Sequence, residues 1–229
     1  MDLYVDKEKS IPQKTTIIVL ELLLLWLSYW ILFQNGDYKI LYRLRIENIC
    51  ASIDRRKIIF AFSIIVFIRI GFMMSVLLKR KIPWDESISI SMAFGLYYVG
   101  FALFALTSPQ QIDVIDYLGI LIFVGGSFIN TGSEIQRHLW KKKPDNRRKI
   151  YTHGLFKYSI HINYFGDLLW VIGYTVITRN IFALAIPIFL FLFFTYYNIP
   201  KLDQYLGRRY GKQFYDYAAV TKRFIPFIY

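Results

Sequence analysis

A group of hydrogen-bonding side chains stands at the edge of an apolar segment in HGLFKYSIHINYFGD, residues 153–167. His161, Asn163 and Asp167 lie close together there, and the basic run KKKPDNRRK (141–149) precedes them. Polar groups at membrane depth are costly unless they are satisfied or functional. Asn163 and Asp167 are therefore interpreted in two ways. They either cap the next helix and complement its dipole, or belong to a polar cup for an anionic ligand that carries an adenine or an amide.

Two cations with a helical spacing precede this stretch. The segment IQRHLWKKK continues the apolar run before it, so Arg137 and Lys141 are predicted to share one helix face. Two cations on one face can bind a pair of phosphates. The alternative is a solvated basic cap at the end of a membrane helix. Pro144 and Asn146 are predicted to end this helix.

The tail after Pro200 has an amphipathic pattern. Apolar and aromatic residues recur there at spacings of three and four, namely Leu202, Leu206, Tyr210, Phe214 and Tyr217. This pattern predicts an interfacial helix that ends near Pro226. The stripe is interpreted as a packing surface, with tyrosine hydroxyls facing a pocket as the alternative.

The composition places these residues in a membrane protein. Of the 229 residues, 55% are hydrophobic and only 19% are charged, whereas about 25% are charged in ordinary soluble domains. Six stretches approach the roughly 20 residues that a membrane-spanning helix needs; they are about 15–34, 58–78, 88–107, 115–135, 164–178 and 181–199. The sequence therefore predicts an all-α fold, a polytopic transmembrane bundle of about six helices with an amphipathic C-terminal interfacial helix.

Several classes of protein are excluded by missing motifs. The sequence has no Walker loop, no GxGxxG after a strand and no GxSxG elbow. Cys50 is the single cysteine and cannot form an internal disulfide, and no Cys/His cluster has metal-ligand spacing, so no metal site is expected. We predict a single membrane domain over residues 1–229 whose reactive groups are concentrated towards the C-terminus.

Short-range signals predict how the later helices meet. Only Arg179 and Asn180 separate the last two apolar stretches, which predicts a tight antiparallel hairpin with a kink at Pro187. The stretch GGSFINTGSE (125–134) is predicted to be a helix whose small residues allow close packing. Its glycines, Gly125, Gly126 and Gly132, would alternatively leave room for a ligand.

The net charge of +12 indicates orientation in the membrane. Basic loops mark the cytosolic side, and with six crossings the 136–158 loop and the C-terminal tail, both strongly basic, fall on one face. We therefore expect a multi-pass integral membrane protein with both segments cytosolic and with no nucleic-acid partner. The basic 36–57 loop on the opposite face argues against this orientation.

Three segments resemble one known family. GLFKYSIHINYFGDLLWVIGY is similar to the C-terminal signature of the steroid 5α-reductase superfamily, which includes the sterol Δ14- and Δ7-reductases, lamin B receptor and the DUF1295 proteins. QRHLWKKKPDN and the tail RRYGKQFYDYAAVTKRFIPFIY resemble two further elements, so the resemblance covers about residues 125–229. The family's Arg-His-Pro-Asn is replaced by residues 160–163, Ile-His-Ile-Asn, and only Asp203 matches its later acidic element.

The resemblance implies an NADPH-dependent membrane reductase that acts on a carbon–carbon double bond of a lipid-like substrate, such as a steroid. It implies that residues 125–229 bind the cofactor and that 1–115 form the substrate side. Arg137 and Lys141 would contact the cofactor's phosphates. The remaining cofactor-binding residues implied are His161, Asn163, Tyr164, Asp167, Asp203, Tyr210 and Tyr217.

Catalytic candidates in the N-terminal half are chosen by position only. In 5α-reductases a glutamate and a tyrosine polarise the substrate carbonyl, which here would be Glu21 with Tyr97 or Tyr98. Arg69 is the alternative, as a buried partner of Glu21. Two other functions stay open, an S-adenosylmethionine-dependent membrane methyltransferase and a non-catalytic family member. The cationic loop favours NADPH, because S-adenosylmethionine is itself a cation.

Overall fold

The structure is a computed structural model that describes residues 10–34, 36–43, 52–78, 80–108 and 110–229. Within these ranges all regular secondary structure is helical. The α-helices in chain order are α1 (Ile11–Phe33), α2 (Gly36–Arg43), α3 (Ile53–Phe72), α4 (Trp84–Gly95), α5 (Phe101–Ala105), α6 (Val114–Lys142), α7 (Ile162–Thr178), α8 (Ala185–Phe193), α9 (Ile199–Tyr210) and α10 (Lys212–Val220). The predicted all-α fold class is confirmed.

Short π-helical segments join several helices into longer rods. Met73–Leu77 extends α3, Leu96–Gly100 joins α4 to α5, and Phe194–Asn198 joins α8 to α9. Five of the described stretches are long and apolar enough to cross a membrane; they are Ile11–Phe33, Ile53–Leu77, Trp84–Ala105, Val114–Lys142 and Ile181–Tyr210. The sixth predicted span corresponds to α7, whose 17 residues match the lower limit of roughly 17 for a spanning helix.

The predicted loop at 36–57 is largely wrong. Residues Gly36–Arg43 form α2, and α3 already begins at Ile53. An ion pair joins these two helices: Arg56 Nη1 of α3 lies 2.7 Å from Asp37 Oδ2 of α2. Cys50 and the rest of 44–51 lie outside the described residues.

The C-terminal tail also departs from the prediction. The helix predicted after Pro200 is α9, which begins at Ile199, and its first turn tolerates a proline without an N–H. It does not continue to near Pro226. The helix breaks instead at Gly211, whose φ of +53° favours glycine, and α10 ends at Val220, before Pro226. The predicted packing role of the stripe is confirmed, since Leu206, Tyr210, Phe214 and Tyr217 pack around Ile160.

The described residues form two compact units. Unit 1 consists of the described residues up to Ile120 together with Tyr174–Leu184, and unit 2 consists of Leu121–Gly173 and Ala185–Tyr229. Helices α6 and α7 contribute residues to both.

Close helix contacts hold unit 2 together. A Cβ at Gly126 would collide with the backbone of Trp170, and one at Gly166 would collide with the backbone of Asn130. The predicted packing role is therefore confirmed for Gly126, whereas a Cβ at Gly125 would meet nothing within 4 Å. The predicted antiparallel hairpin is confirmed by Tyr164, whose ring stacks on Phe194 with a centroid distance of 4.5 Å.

Unit 1 contains a buried ion network. Arg55 Nη1 lies 2.5 Å from Asp116 Oδ1 and also donates to the carbonyl of Ile177 at 2.6 Å. Arg179 Nη2 donates to the other oxygen of Asp116 at 3.0 Å and pairs with Asp113. Hydrogen bonding to Asp116 raises the pKa of Arg179, which therefore keeps its charge. This network ties the start of α3 to the start of α6 and the end of α7.

Candidate cofactor-binding and catalytic sites

The phosphate-binding pair predicted on α6 is part of a basic cluster in unit 2. The helix runs through both residues, as predicted, and ends at Lys142. Lys141 Nζ donates to the Tyr210 hydroxyl at 3.3 Å, while Arg137 pairs with Glu134 one turn earlier. Arg209 lies with its guanidinium 5.7 Å from the centre of the Tyr210 ring. We call Arg137, Lys141, Arg209 and Tyr210 the basic cluster; its three cations face one paired acid, so it favours an anion.

His161 and Asp203 meet beside this cluster in unit 2. Nε2 of His161 donates to Asp203 Oδ1 at 2.8 Å, and His161 is only 1% exposed. Arg223 Nε lies 3.5 Å from the second oxygen of Asp203. The imidazole ring stacks on Tyr164, with a centroid distance of 5.7 Å. Three of the predicted cofactor residues, His161, Tyr164 and Asp203, are thus held together.

The helix-cap interpretation of Asp167 is wrong. Because α7 begins at Ile162, Asp167 is its sixth residue and lies beyond the first turn, where the free N–H groups are. Its carboxylate instead accepts a hydrogen bond of 2.8 Å from Trp170 Nε1. Asn163 is the second helical residue and so does not precede the helix as a cap would. Its side chain is half-buried, and its backbone carbonyl accepts from Asn130 at 3.1 Å.

Tyr217 is placed differently from the other predicted site residues. Its hydroxyl donates to the backbone carbonyl of Phe156, and its ring packs with Ile160 and Phe214. Burial raises the pKa of Tyr217, so the phenol remains a donor in this contact. Its predicted role in closing a cofactor pocket stays a prediction.

Sequence analysis missed a polar stripe on α6 that leads into the basic cluster. The stripe recurs at spacings of three and four and consists of Ser127, Asn130, Thr131, Glu134 and His138. Asn130 is buried and Glu134 pairs with Arg137. The spacing was visible in GGSFINTGSE, but the interpretation of that stretch considered only its glycines, as a packing surface or as room for a ligand. Among the described residues, no group of three or more His, Cys, Asp or Glu could hold a metal ion.

A second candidate site lies inside unit 1. The Tyr98 hydroxyl donates to Glu21 Oε2 at 3.1 Å, and the two residues are 0% and 1% exposed. The other oxygen, Oε1 of Glu21, is buried and has no hydrogen-bond partner in the part of the chain that the structure describes. Tyr98 belongs to the π-helical segment Leu96–Gly100, a feature that is frequent at functional sites. Arg69, the alternative partner predicted for Glu21, lies within electrostatic range of the same phenol.

The two predicted tyrosines are not equivalent. Tyr97 stacks on Phe101 with a centroid distance of 6.4 Å and meets the edge of Phe94 at 5.6 Å. Both of these contacts are aromatic, whereas Tyr98 contacts a carboxyl group through its hydroxyl. The structure therefore separates two candidates that the sequence left equal.

The donor set of the basic cluster suits a phosphate-bearing cofactor. Guanidinium and ammonium groups form charge-assisted hydrogen bonds with phosphate oxygens, and Arg137 lies within electrostatic range of the Tyr164 and Tyr210 hydroxyls. These groups converge from α6, α7 and α9 of unit 2.

Comparison with known proteins agrees with the resemblance seen in the sequence. Residues 86–222 match the family described as protein of unknown function (DUF1295). The rat protein 3-oxo-5-alpha-steroid 4-dehydrogenase 2 is 30% identical over 137 residues, which cover 59% of this chain and 52% of the relative. Protein-S-isoprenylcysteine O-methyltransferase B of Arabidopsis thaliana is 32% identical over 92 residues, 40% of this chain and 46% of the relative.

The chain spans about half the length of the curated relatives that it matches. These relatives are enzymes of two kinds, and the predicted superfamily is confirmed. The family match includes the basic cluster, the His161–Asp203 contact and Tyr98, whereas Glu21 lies before its first residue.

Proposed function

The chain belongs to the DUF1295 family, and from this premise and the two sites we propose that it is a membrane-embedded, NADPH-dependent reductase. The substrate is a lipid-like molecule in which a carbon–carbon double bond is conjugated to a carbonyl group. The rat relative, by its name, is an oxidoreductase that acts on a 3-oxo steroid, which supports this class of substrate.

The observation that carries the proposal is the buried Glu21–Tyr98 pair. When hydride adds to the β-carbon of a conjugated ketone, the electron pair of the double bond moves to the carbonyl oxygen, and a proton must then reach the α-carbon. Glu21 supplies hydrogen-bond donation to that oxygen, because a protonated Glu21 can donate through Oε1, which has no partner among the described residues, while its Oε2 accepts from Tyr98. Methyl transfer from a sulfonium requires no such acid.

The basic cluster supports the choice of cofactor. NADPH, when bound, supplies the hydride. Arg137, Lys141 and Arg209 are placed to bind its phosphates, since charge-assisted hydrogen bonds to phosphate are stronger than neutral ones. The His161–Asp203 contact holds the imidazole ring, on which Tyr164 stacks. A cofactor bound beside these fixed rings has fewer orientations available.

A methyltransferase is the second candidate function, favoured by the relative from Arabidopsis thaliana and by the carboxylate of Asp203 next to His161. Purified protein in detergent should distinguish the two. We expect NADPH to raise the unfolding temperature more than NADH does, with S-adenosylmethionine having no effect. Tighter binding of S-adenosylmethionine than of NADPH would reject the reductase, and binding of neither would favour a non-catalytic member.

The chemistry is tested with a pair of adjacent substitutions. Tyr98→Phe and Tyr97→Phe each remove one hydroxyl from the same π-helical segment. We expect Tyr98→Phe to lower kcat for NADPH-dependent reduction of a 3-oxo-4-ene steroid by about tenfold or more, and Tyr97→Phe to leave kcat nearly unchanged. Equal losses in both variants would remove the Glu21–Tyr98 pair from the mechanism.

The proposed orientation places the 136–158 loop and the C-terminus in the cytosol, where NADPH is available. Asp145→Cys in a Cys50→Ser background should react with a membrane-impermeant thiol reagent only after cells are opened. Labelling in intact cells would place the basic cluster on the wrong side for this cofactor.

A further inference from the structure

A shallow groove opens on unit 2 between the segment 149–157 and α10. Its volume is about 660 Å³, and its lining includes Lys149, His153, Lys157, Asp216, Trp140 and Val220. Arg137, Lys141 and Tyr210 do not line it. The groove is therefore separate from the basic cluster, and the proposed reaction does not use it.

The two walls of the groove are fixed by hydrogen bonds. The N–H of Ile150 donates to Gln213 Oε1 at 3.3 Å, and the Tyr217 hydroxyl donates to the carbonyl of Phe156. At the far end of the 149–157 segment, the N–H of Leu155 donates to Gln136 Oε1 at 3.0 Å. These bonds hold the segment against α10 and α6, so the groove exists before any ligand binds.

The charge of the groove favours an anion. Lys149, His153 and Lys157 all line it with exposed side chains, and Asp216 is the one acid among the lining residues. Lys157 is exposed, and its Nζ lies 4.6 Å from the centre of the Tyr158 ring. A phosphate group is the anion that such a set of donors binds best.

The position of the groove along α6 indicates where that anion comes from. Trp140 lies in the last turn of this membrane-spanning helix, and tryptophan prefers the level of the lipid headgroups. At the rim of the groove Val220 is 85% exposed, an apolar contact that a small soluble anion would not use. Cations beside apolar surface at this depth complement a phosphate joined to acyl chains.

We propose that this groove binds the headgroup of an anionic phospholipid, with Lys149 and Lys157 on its phosphate and Val220 against its glycerol and acyl region. The site anchors the 149–157 segment to the membrane surface. It does not depend on the proposed reductase function.

The first test compares two double variants that remove the same charge. Lys149→Ala/Lys157→Ala removes two groove cations, and Lys142→Ala/Lys143→Ala removes two exposed cations of the same basic run that do not line the groove. Titration of phosphatidylglycerol in detergent, followed by native mass spectrometry, should show a loss of affinity of about tenfold or more for the groove variant. The control should lose less than about twofold, since Lys142 and Lys143 do not line the groove. Equal losses would overturn the site.

The second test should strengthen binding instead of weakening it. Asp216→Asn and Asp145→Asn each remove one exposed acid, and only Asp216 lines the groove. We expect phosphatidylglycerol to bind several-fold more tightly to Asp216→Asn and unchanged to Asp145→Asn. The same gain in both variants would mean that only the net charge matters, which would overturn the proposal.

Competition distinguishes the sources of phosphate. Phosphatidylcholine, millimolar inorganic phosphate and NADPH should each fail to displace phosphatidylglycerol. Displacement by inorganic phosphate would indicate a simple anion site, and displacement by NADPH would assign the groove to the cofactor; either result contradicts a lipid site. Failure of the chain to bind NADPH at all would reject the reductase and leave this lipid measurement unaffected.

Discussion

Asp116 and Glu21 are two buried carboxyl groups of unit 1 with opposite surroundings. Both oxygens of Asp116 accept hydrogen bonds, from Arg55, from Arg179 and from the N–H of Asp113 at 3.0 Å. Glu21 accepts a hydrogen bond from Tyr98, and its other oxygen accepts none from any residue within the described ranges. Each group is nearly inaccessible to solvent.

We propose that the difference separates a structural carboxylate, Asp116, from a reactive one, Glu21. Removing one partner of a fully paired buried charge destabilises the fold, because the other charge stays buried and uncompensated. A buried acid with one unsatisfied oxygen is a cost to the fold, and such costs concentrate at functional sites. Asp116 is therefore interpreted as part of the scaffold and Glu21 as part of the chemistry.

The largest expected effect is on kcat, and it tests the proposed chemical role of Glu21. Glu21→Gln keeps the shape of the side chain and an acceptor for Tyr98 but removes the acid. We expect kcat for enone reduction to fall by roughly 10²–10⁴-fold, the usual contribution of general acid catalysis. The unfolding temperature should stay equal or rise, because a buried ionisable group is replaced by a neutral one. A variant that loses stability and keeps its activity would reverse the assignment.

The structural side is tested by Asp116→Ala. Removing this partner leaves Arg55 buried and uncompensated, which should destabilise unit 1 by about 3–5 kcal/mol. Asp54→Ala is the control, since Asp54 pairs with Lys57 on the surface and is 64% exposed. Thermal unfolding in detergent, followed by size-exclusion chromatography, measures both. If Asp116→Ala melts together with the control, the ion network is not a scaffold.

In unit 2, Lys141 is a cation whose role in ligand binding can be tested in the same way. Lys141 donates to the Tyr210 hydroxyl and its side chain is exposed, so a ligand can reach its ammonium group. Lys141→Ala should weaken NADPH binding by about tenfold, given roughly 1.5–3 kcal/mol for a hydrogen bond to a charged group. Lys142→Ala, one residue further along α6, should change it little. Isothermal titration at low salt measures both, and equal effects would mean that only the overall charge matters.

The smallest expected effect on stability is that of Asp167→Asn. Asparagine retains an oxygen that accepts from Trp170, so unfolding should change by no more than about 1 kcal/mol. If Asp167 also binds the cofactor, the NADPH-induced rise in unfolding temperature should disappear in this variant. A rise as large as that of the wild type would make the carboxylate a support for Trp170 alone.

The sequence determined the features that depend on neighbouring residues. The length of apolar runs fixed the membrane-spanning helices, because about 20 apolar residues are needed to cross a bilayer. The helical period placed Arg137 and Lys141 on one face of α6, and the tail stripe correctly identified residues that pack around Ile160. The choice of Glu21 was also possible, because an acid inside an apolar run is exceptional in any fold.

Only the tertiary structure decided which of these groups meet. Tyr98 was chosen over Tyr97 by a hydrogen bond across 77 residues, and His161 was joined to Asp203 across 42. The start of α7 was fixed by pairing of its approach with the C-terminal segment, where the N–H of His161 donates to the carbonyl of Arg223 at 3.0 Å. Because α7 begins at Ile162, Asp167 lies beyond the first turn and cannot cap this helix. Local periodicity predicts which face of a helix a residue occupies. It does not predict which residue, from a distant part of the chain, that side chain contacts.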